Sequence, residues 1–180
     1  MTDTIGAVSL RELELADATR ILAWRNMPEV AGYMYTDHRI SEAEHARWFA
    51  AAMTDETKRY WVIQLDDMPV GLANLYDIST PHRRCYWAFY LADDRVRGKG
   101  VGSFTERYVM RHVFETMDFE KLCCEVLVTN EAVVKMHQRY GFTVDGILRQ
   151  HVIKAGTRVD VATMSLLREE WASGRWSSRG

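Results

Sequence analysis

The sequence predicts a mixed α/β fold, a sheet with helices packed against it, and three observations carry that prediction. The aromatic run at residues 86–91 leads through a glycine-rich stretch, 93–103, into residues 104–117. There Phe104, Tyr108, Val113, Phe114 and Met117 fall at helical spacing, so the order is strand, turn, helix. Two apolar runs, 60–65 and 70–78, flank turn residues 66–69 and read as a hairpin. Strand-type and helix-type patterns are also interleaved along the chain, as layered α/β folds require. The 180 residues are enough for one domain with a full core. It is placed at residues 1–170, with 171–180 as a polar, Ser-, Arg- and Gly-rich tail.

Residues 8–15, with Val8, Leu10, Leu13 and Leu15 in imperfect alternation, open the chain as a strand. Asp17 is placed to cap a short helix carrying Ile21, Leu22 and Trp24. That helix stops before Pro28, because the residue ahead of a proline is pushed out of helical geometry. Residues 29–35 read as loop. Ser41, Glu42, Ala43 and Glu44 have capping-box form, and the helix they open puts His45, Trp48, Phe49 and Ala52 on one stripe. After the hairpin, Thr80-Pro81-His82 turns into a third strand at 84–91, which feeds the glycine-rich turn and its helix. Residues 121–128 form the next strand. Asn130 caps a helix running to Tyr140, and Gly141 suits the left-handed position just past a helix end. Residues 142–150 and 152–167 close the sheet, with turns at Asp145-Gly146 and Ala155-Gly156.

Composition excludes several classes of function. The net charge is −2 and the longest basic run is Arg83-Arg84, which gives no reason to invoke nucleic acid or an acidic membrane surface. There is no 18-residue apolar stretch, and the opening Met1-Thr2-Asp3-Thr4 lacks the charged and apolar regions of a signal peptide. A cytoplasmic protein is expected. Cys85, Cys123 and Cys124 make no disulfide framework and lack the partners of a metal site, so they read as inert, buried thiols and no metal is expected.

The glycine-rich turn is the chemical feature of the chain. Gly98, Gly100 and Gly102 stand at alternate positions, and Arg97 and Lys99 add charge. With the free N–H groups and dipole of the helix it opens, such a turn suits a pyrophosphate. The plain alternative is a flexible surface turn. No G-x-x-x-x-G-K-[ST] occurs, and the G-x-G-x-G spacing departs from the dinucleotide G-x-G-x-x-G. Arg97-Gly98-Lys99-Gly100-Val101-Gly102 instead resembles the R/Q-x-x-G-x-G/A signature of the GCN5-related N-acetyltransferases. A second segment of that family is similar to Asn130-x4-Lys135-x-His137-x3-Gly141-Phe142. The resemblance spans nearly the whole chain, and the order of elements is that of the acetyltransferase fold. It implies a sheet that splays beside the turn, with acetyl-CoA's pyrophosphate on the turn and its pantetheine in the split. It also implies that backbone amides of Phe89, Tyr90 and Leu91 hold pantetheine and polarise the thioester, that Val101 lies in the pyrophosphate loop, and that Asn130 and Lys135 contact the cofactor.

Acyl transfer to an amine needs a base for the amine's proton, a donor for the thioester oxygen and a proton for the departing thiolate. Glu125 lies in a strand whose neighbours are apolar, sharing a face with Cys123 and Leu127 while Cys124, Val126 and Val128 take the other. It is the candidate base; its structural alternative is an ion pair or an exposed edge position. His137 stands where many family members carry the tyrosine that protonates the thiolate, and Tyr140 is about 300° further round the helix. His137 is the candidate acid, with a cofactor contact or a satisfied core histidine as alternatives.

The N-terminal half sets acceptor choice in this family. Trp24-Arg25-Asn26-x2-Glu29-Val30, then Tyr33-Met34-Tyr35 and Glu44-His45-x2-Trp48, resemble the nucleotide-sugar N-acetyltransferases of pseudaminic acid biosynthesis, which supply flagellin glycosylation. These act on the 4-amino group of a UDP-linked 4-amino-4,6-dideoxy sugar. That resemblance implies Arg25, Asn26 and His45 as polar contacts, with Arg25 and His45 toward the diphosphate. Tyr35 or Trp48 would stack on uracil, Met34 or Trp87 would cover the sugar methyl, and Tyr76 would complete the site. Trp24, Trp48 and Phe49 can equally be core. Three rival readings remain: acetylation of ribosomal-protein N-termini, an amine or antibiotic acetyltransferase with an acidic acceptor cleft, and a non-catalytic acyl-CoA-binding module.

Overall fold

The computed structural model describes residues 7–96 and 98–174. Its strands are β1 (Val8–Glu12), β2 (Arg59–Leu65), β3 (Met68–Ser79), β4 (Arg84–Leu91), β5 (Lys121–Leu127), β6 (Thr143–Lys154) and β7 (Thr157–Leu167). They form one sheet in the order β1-β2-β3-β4-β5-β7-β6. Every pairing is antiparallel except that of β4 with β5. This parallel pairing is short. Arg84, Cys85 and Tyr86 face Lys121, Leu122 and Cys123, and beyond them the two strands part. Residues 87–91 stay bonded to β3, and residues 124–127 stay bonded to β7, so both walls of the split are anchored. The splay implied by the family resemblance is present.

Strand alternation sorts the interior into two cores. One face carries Trp61, Ala73, Cys85, Trp87, Cys124 and Val126 in the larger core. Against it pack α4 (Val101–Arg111) and α5 (Glu131–Arg139). The opposite face carries Tyr60, Val62 and Leu72, which join Ile21 of α1 (Ala18–Arg25) and Phe49 of α3 (Glu42–Ala52).

Several local expectations need correction. Pro28 does not simply end a helix. It opens a single turn, α2 (Pro28–Ala31), at the first helical position, where its fixed φ and missing N–H do no harm. Ser41 Oγ accepts the Glu44 N–H at 3.2 Å, but the Glu44 carboxylate turns to His38 Nε2 at 3.0 Å instead of closing a capping box. The α4 helix starts at Val101, ahead of Phe104, and runs into a π-helical turn at His112–Thr116. The hairpin turn tightens to Asp66 and Asp67, both at positive φ, the mirror-image geometry that matches strand twist. Asp145-Gly146 is not a turn but a bulge inside β6, which then continues through Val152 to Lys154. Trp171, assigned to the tail, belongs to a short helix, α6 (Arg168–Ala172), and stacks on Phe114 at 5.3 Å. Residues 175–180 of that tail lie outside the described residues.

Asp17 is the N-cap of α1 by position, but its side chain does not bond into that helix. Its carboxylate is buried, takes both Arg11 Nη1 and Nη2 at 2.7 Å, and accepts the Glu14 N–H at 3.0 Å, tying β1 to the start of α1. Burial alone would raise its pKa, but the hydrogen bonds from Arg11 and from Glu14 outweigh it and hold the carboxyl below its ordinary range. A depressed carboxylate contributes stability that is present above its unfolded pKa and lost as pH falls through the folded value. Asp17→Asn is therefore expected to lower urea-unfolding stability at neutral pH by about 2 kcal/mol. The difference from the parent should shrink as pH falls below about 4; a deficit that did not change with pH would contradict the assignment.

Candidate active site at the split in the sheet

The turn after β4 is shaped by backbone geometry. Gly98 and Gly100 take φ of +76° and +74°, and a Cβ built on either meets nothing within 4 Å, so it is the left-handed backbone and not lack of room that requires glycine. Gly100 is the N-cap of α4. The helix supplies no partner for the N–H groups of Val101, Gly102 and Ser103, which together with the positive end of its dipole make a seat for an anion. These residues form one end of a cleft of about 560 Å³. Its walls are Phe89, Tyr90 and Leu91 at the end of β4, Asn130, Val133, Met136 and Arg139 along α5, and Glu29, Val30, Tyr33 and Met34 from α2 and the loop after it.

Glu125 stands on β5 where β4 has parted from it, on the sheet face shared with Tyr86 and Cys123. Tyr35 Oη, from the loop after α2, donates to Glu125 Oε2 at 2.6 Å. Tyr76 on β3 lies opposite Tyr86 on β4, with ring centroids 5.4 Å apart. Burial raises the Tyr35 phenol, and the Glu125 hydrogen bond and charge raise it further. Tyr76 is raised by burial first and then by the Glu125 charge. Both therefore remain protonated donors at neutral pH. On the β4 side of the gap this face presents the small side chain of Ala88.

Residues 8–143 match the family model of the acetyltransferase (GNAT) domain. The chain belongs to the GNAT family. Among curated relatives, the acetyltransferase PseH of Campylobacter jejuni is 28% identical over 133 residues, which is 74% of this chain and 81% of that protein. The spermidine N(1)-acetyltransferase of Escherichia coli K12 is 23% identical over 165 residues, 92% of this chain and 88% of that protein. The crystal structure of Vibrio cholerae spermidine N-acetyltransferase with CoA and spermine superposes with a TM-score of 0.85 at 22% identity, covering 92% of this chain and 98% of that one. The chain is thus an acetyl-CoA-dependent N-acetyltransferase.

The GNAT cofactor supplies an activated acetyl thioester, and the cleft fits it. The amides at the start of α4 suit the pyrophosphate, and the split between β4 and β5 exposes strand backbone to the pantetheine. Of the residues expected at the cofactor, Phe89, Tyr90, Leu91, Gly98, Gly100, Val101, Gly102 and Asn130 line the cleft. Lys99 is exposed and outside the lining, and Lys135 is occupied by Glu131 at 3.0 Å on the outer side of α5. Arg97 lies outside the described residues. On α5 the cation that lines the cleft is Arg139 and not Lys135. Its signal was the stripe Asn130, Val133, Met136, Arg139 at three-residue spacing, and all four face the cleft.

The acceptor-side expectations divide. Met34 lines the cleft, and Tyr35 and Tyr76 stand at Glu125. Arg25 Nη2 donates to Thr36 Oγ1 at 3.3 Å, while its buried Nε has no hydrogen-bond partner among the described residues. Asn26 is spent on the backbone: its amide donates to the Ile40 carbonyl at 2.9 Å and accepts the Ile40 N–H at 2.8 Å. His45 is no diphosphate ligand, being 5% exposed with Nε2–H donated to the Ala18 carbonyl at 2.7 Å. Trp48 packs edge-on to Tyr60 at 5.5 Å in the smaller core, not as a stacking platform. Trp87 is fully buried, and strand alternation puts it on the face opposite Glu125, stacked on Phe89 at 5.4 Å.

His137 is corrected in the same way. Its ring is 3% exposed and packs against Trp87 and Phe142, with Nδ1 at 2.7 Å from Glu106 Oε1 on α4. It bolts α5 to α4 and does not line the cleft.

Proposed function

We propose that this GNAT enzyme acetylates an amino group of a nucleotide-linked amino sugar, a UDP-4-amino-4,6-dideoxy sugar, with Glu125 as the base. Arg25 is the observation that carries the choice of acceptor. Its half-buried guanidinium is only partly satisfied and is tied to Thr36, the neighbour of Tyr35. A fixed cation there favours an anionic diphosphate and disfavours a polycation. The spermidine relatives motivate a polyamine as the second reading, and Glu29 and Glu125 give it some support. A polyamine carries several ammonium groups that a fixed cation repels, however. Among the described residues lining the cleft, Glu29 is the one carboxylate, beside the apolar Val30 and Met34 and the ring of Tyr33. That wall suits a sugar bearing a methyl group. The 28% identity to PseH supports the same choice.

In this reading the amine docks at Glu125 beside Ala88, and the carboxylate takes its proton on a free lone pair while the Tyr35 hydroxyl goes on donating to Oε2. Backbone amides at the end of β4 donate to the thioester oxygen as negative charge grows on it, and when the intermediate collapses the C–S bond breaks and the CoA thiolate takes its proton from water. No cysteine carries the acyl group. Burial pushes the Cys85 thiol up to about 12 and raises Cys123 and Cys124, so none is a thiolate at neutral pH.

The test is CoA release from acetyl-CoA with the UDP-amino sugar, spermidine, or a peptide with a free N-terminus as acceptor. The nucleotide sugar is expected to give a kcat/KM at least about tenfold above the others, the equivalent of one charged contact. A preference for spermidine or for the peptide would overturn the acceptor assignment.

A further inference from the structure

The hairpin formed by β6 and β7 reaches over to the acceptor side. After Leu148 the β6 register slips, Gln150 takes φ +52°, and its N–H is held by Asp160 Oδ1 at 2.6 Å. Such a bulge bends a strand and re-aims the residues beyond it. Here those residues form a tip that clasps the loop after α2. Lys154 Nζ donates to the Ala31 carbonyl at 3.0 Å and the Thr36 carbonyl at 2.9 Å, and pairs with Asp37 Oδ1 at 3.2 Å. The Ala155 N–H donates to Asp37 Oδ2 at 2.9 Å. The His151 ring stands 6.2 Å from Tyr35, tilted by 66°.

An ammonium has three protons to donate, and here three acceptors meet it. The Lys154 side chain is 14% exposed, so its charge is directed into the loop rather than into water. The two carbonyls it grips bound residues 31–36, the stretch that carries Met34 to the cleft and Tyr35 to Glu125. With the ends of that stretch fixed, the reach of Tyr35 is fixed as well.

We infer that Lys154 is a positioning residue that sets Tyr35 on Glu125, which makes the tip of the β6–β7 hairpin a determinant of acceptor specificity. The inference rests on the reading that the acceptor docks at Glu125. The pyrophosphate seat and the strand edge beside it are built on β4, α4 and α5, away from Lys154, while the loop it holds supplies the facing wall of the cleft, so the larger effect falls on the acceptor.

Lys154→Met keeps the apolar stem and removes the ammonium. The first readout needs no acceptor: fluorine NMR of protein labelled with 3-fluorotyrosine, with the Tyr35 resonance assigned through Tyr35→Phe. Lys154→Met is expected to move that resonance toward the position it takes in Glu125→Ala, that of a phenol without its carboxylate partner, while the acetyl-CoA Kd from calorimetry stays within about twofold. With acceptor, KM should rise roughly tenfold or more, as loss of charged hydrogen bonds implies. Asp37→Asn, which spares both carbonyl contacts, should move the signal in the same direction by less, and it serves if Lys154→Met does not fold. An unmoved Tyr35 resonance, or an acetyl-CoA Kd that rises in step with the acceptor KM, overturns the inference. A moved resonance in a protein that acetylates none of the three acceptors supports the clasp and sinks the proposed function instead.

Discussion

Glu125→Gln is expected to lower kcat by about a hundredfold or more, the range associated with removing a positioned general base. Glutamine is the informative replacement. Its amide oxygen can still accept the Tyr35 hydroxyl that now lies 2.6 Å from Oε2, so the loop after α2 keeps its place, but the amide cannot take a proton. The cofactor cleft is lined by other residues, so the KM for acetyl-CoA should hardly change. The deficit should also narrow as pH approaches the pKa of the acceptor amine, because more of the acceptor then arrives neutral and able to attack, which spares the first of its two proton losses. Steady-state CoA release over a pH series checks both points. A variant within about threefold of the parent at neutral pH would remove Glu125 as the base.

How far the sequence revealed this site depended on the range of the signal. The strand, glycine turn and helix from β4 to α4 were legible because alternation, positive φ and helical spacing are local. The same alternation placed Glu125 on the face opposite Cys124, and the β5 register agrees. Applied to β4, it would have put Trp87 with Phe89 and Leu91, toward α4. Residue type, an aromatic near a sugar site, prevailed there over position. His45 misled in the same way, as a polar ring beside an aromatic stripe whose nitrogen is satisfied by a carbonyl from α1. The bulges in β6 were misread because a slipped register imitates a turn. The contacts that assemble the acceptor side were out of reach of any window. Tyr35 and Glu125 are 90 positions apart, and Lys154 and Ala31 are 123 apart. Only the folded sheet brings them together.

His137→Ala should act on stability and leave the chemistry nearly intact. Glu106 is fully buried, and burial pushes its pKa up, while the hydrogen bond and charge of His137 pull it back down. Its Oε2 has no hydrogen-bond partner among the described residues, so the 2.7 Å contact between Oε1 and His137 Nδ1 is what compensates this carboxyl in the interior. Removing the imidazole leaves a buried acid alone and opens a cavity against Trp87 and Phe142. Losses of this kind are about 3 kcal/mol or more. Chemical denaturation should therefore show a large drop, with kcat within about threefold of the parent at temperatures where the variant is folded. Adding Glu106→Gln should return part of the stability, since a neutral amide is cheaper to leave unpaired than a carboxylate. The opposite pattern, unchanged stability with kcat down by about a hundredfold, would mean that the imidazole reaches the departing thiolate. The α4–α5 bolt would then have to open during turnover, and the glycine turn at the start of α4 would move with it.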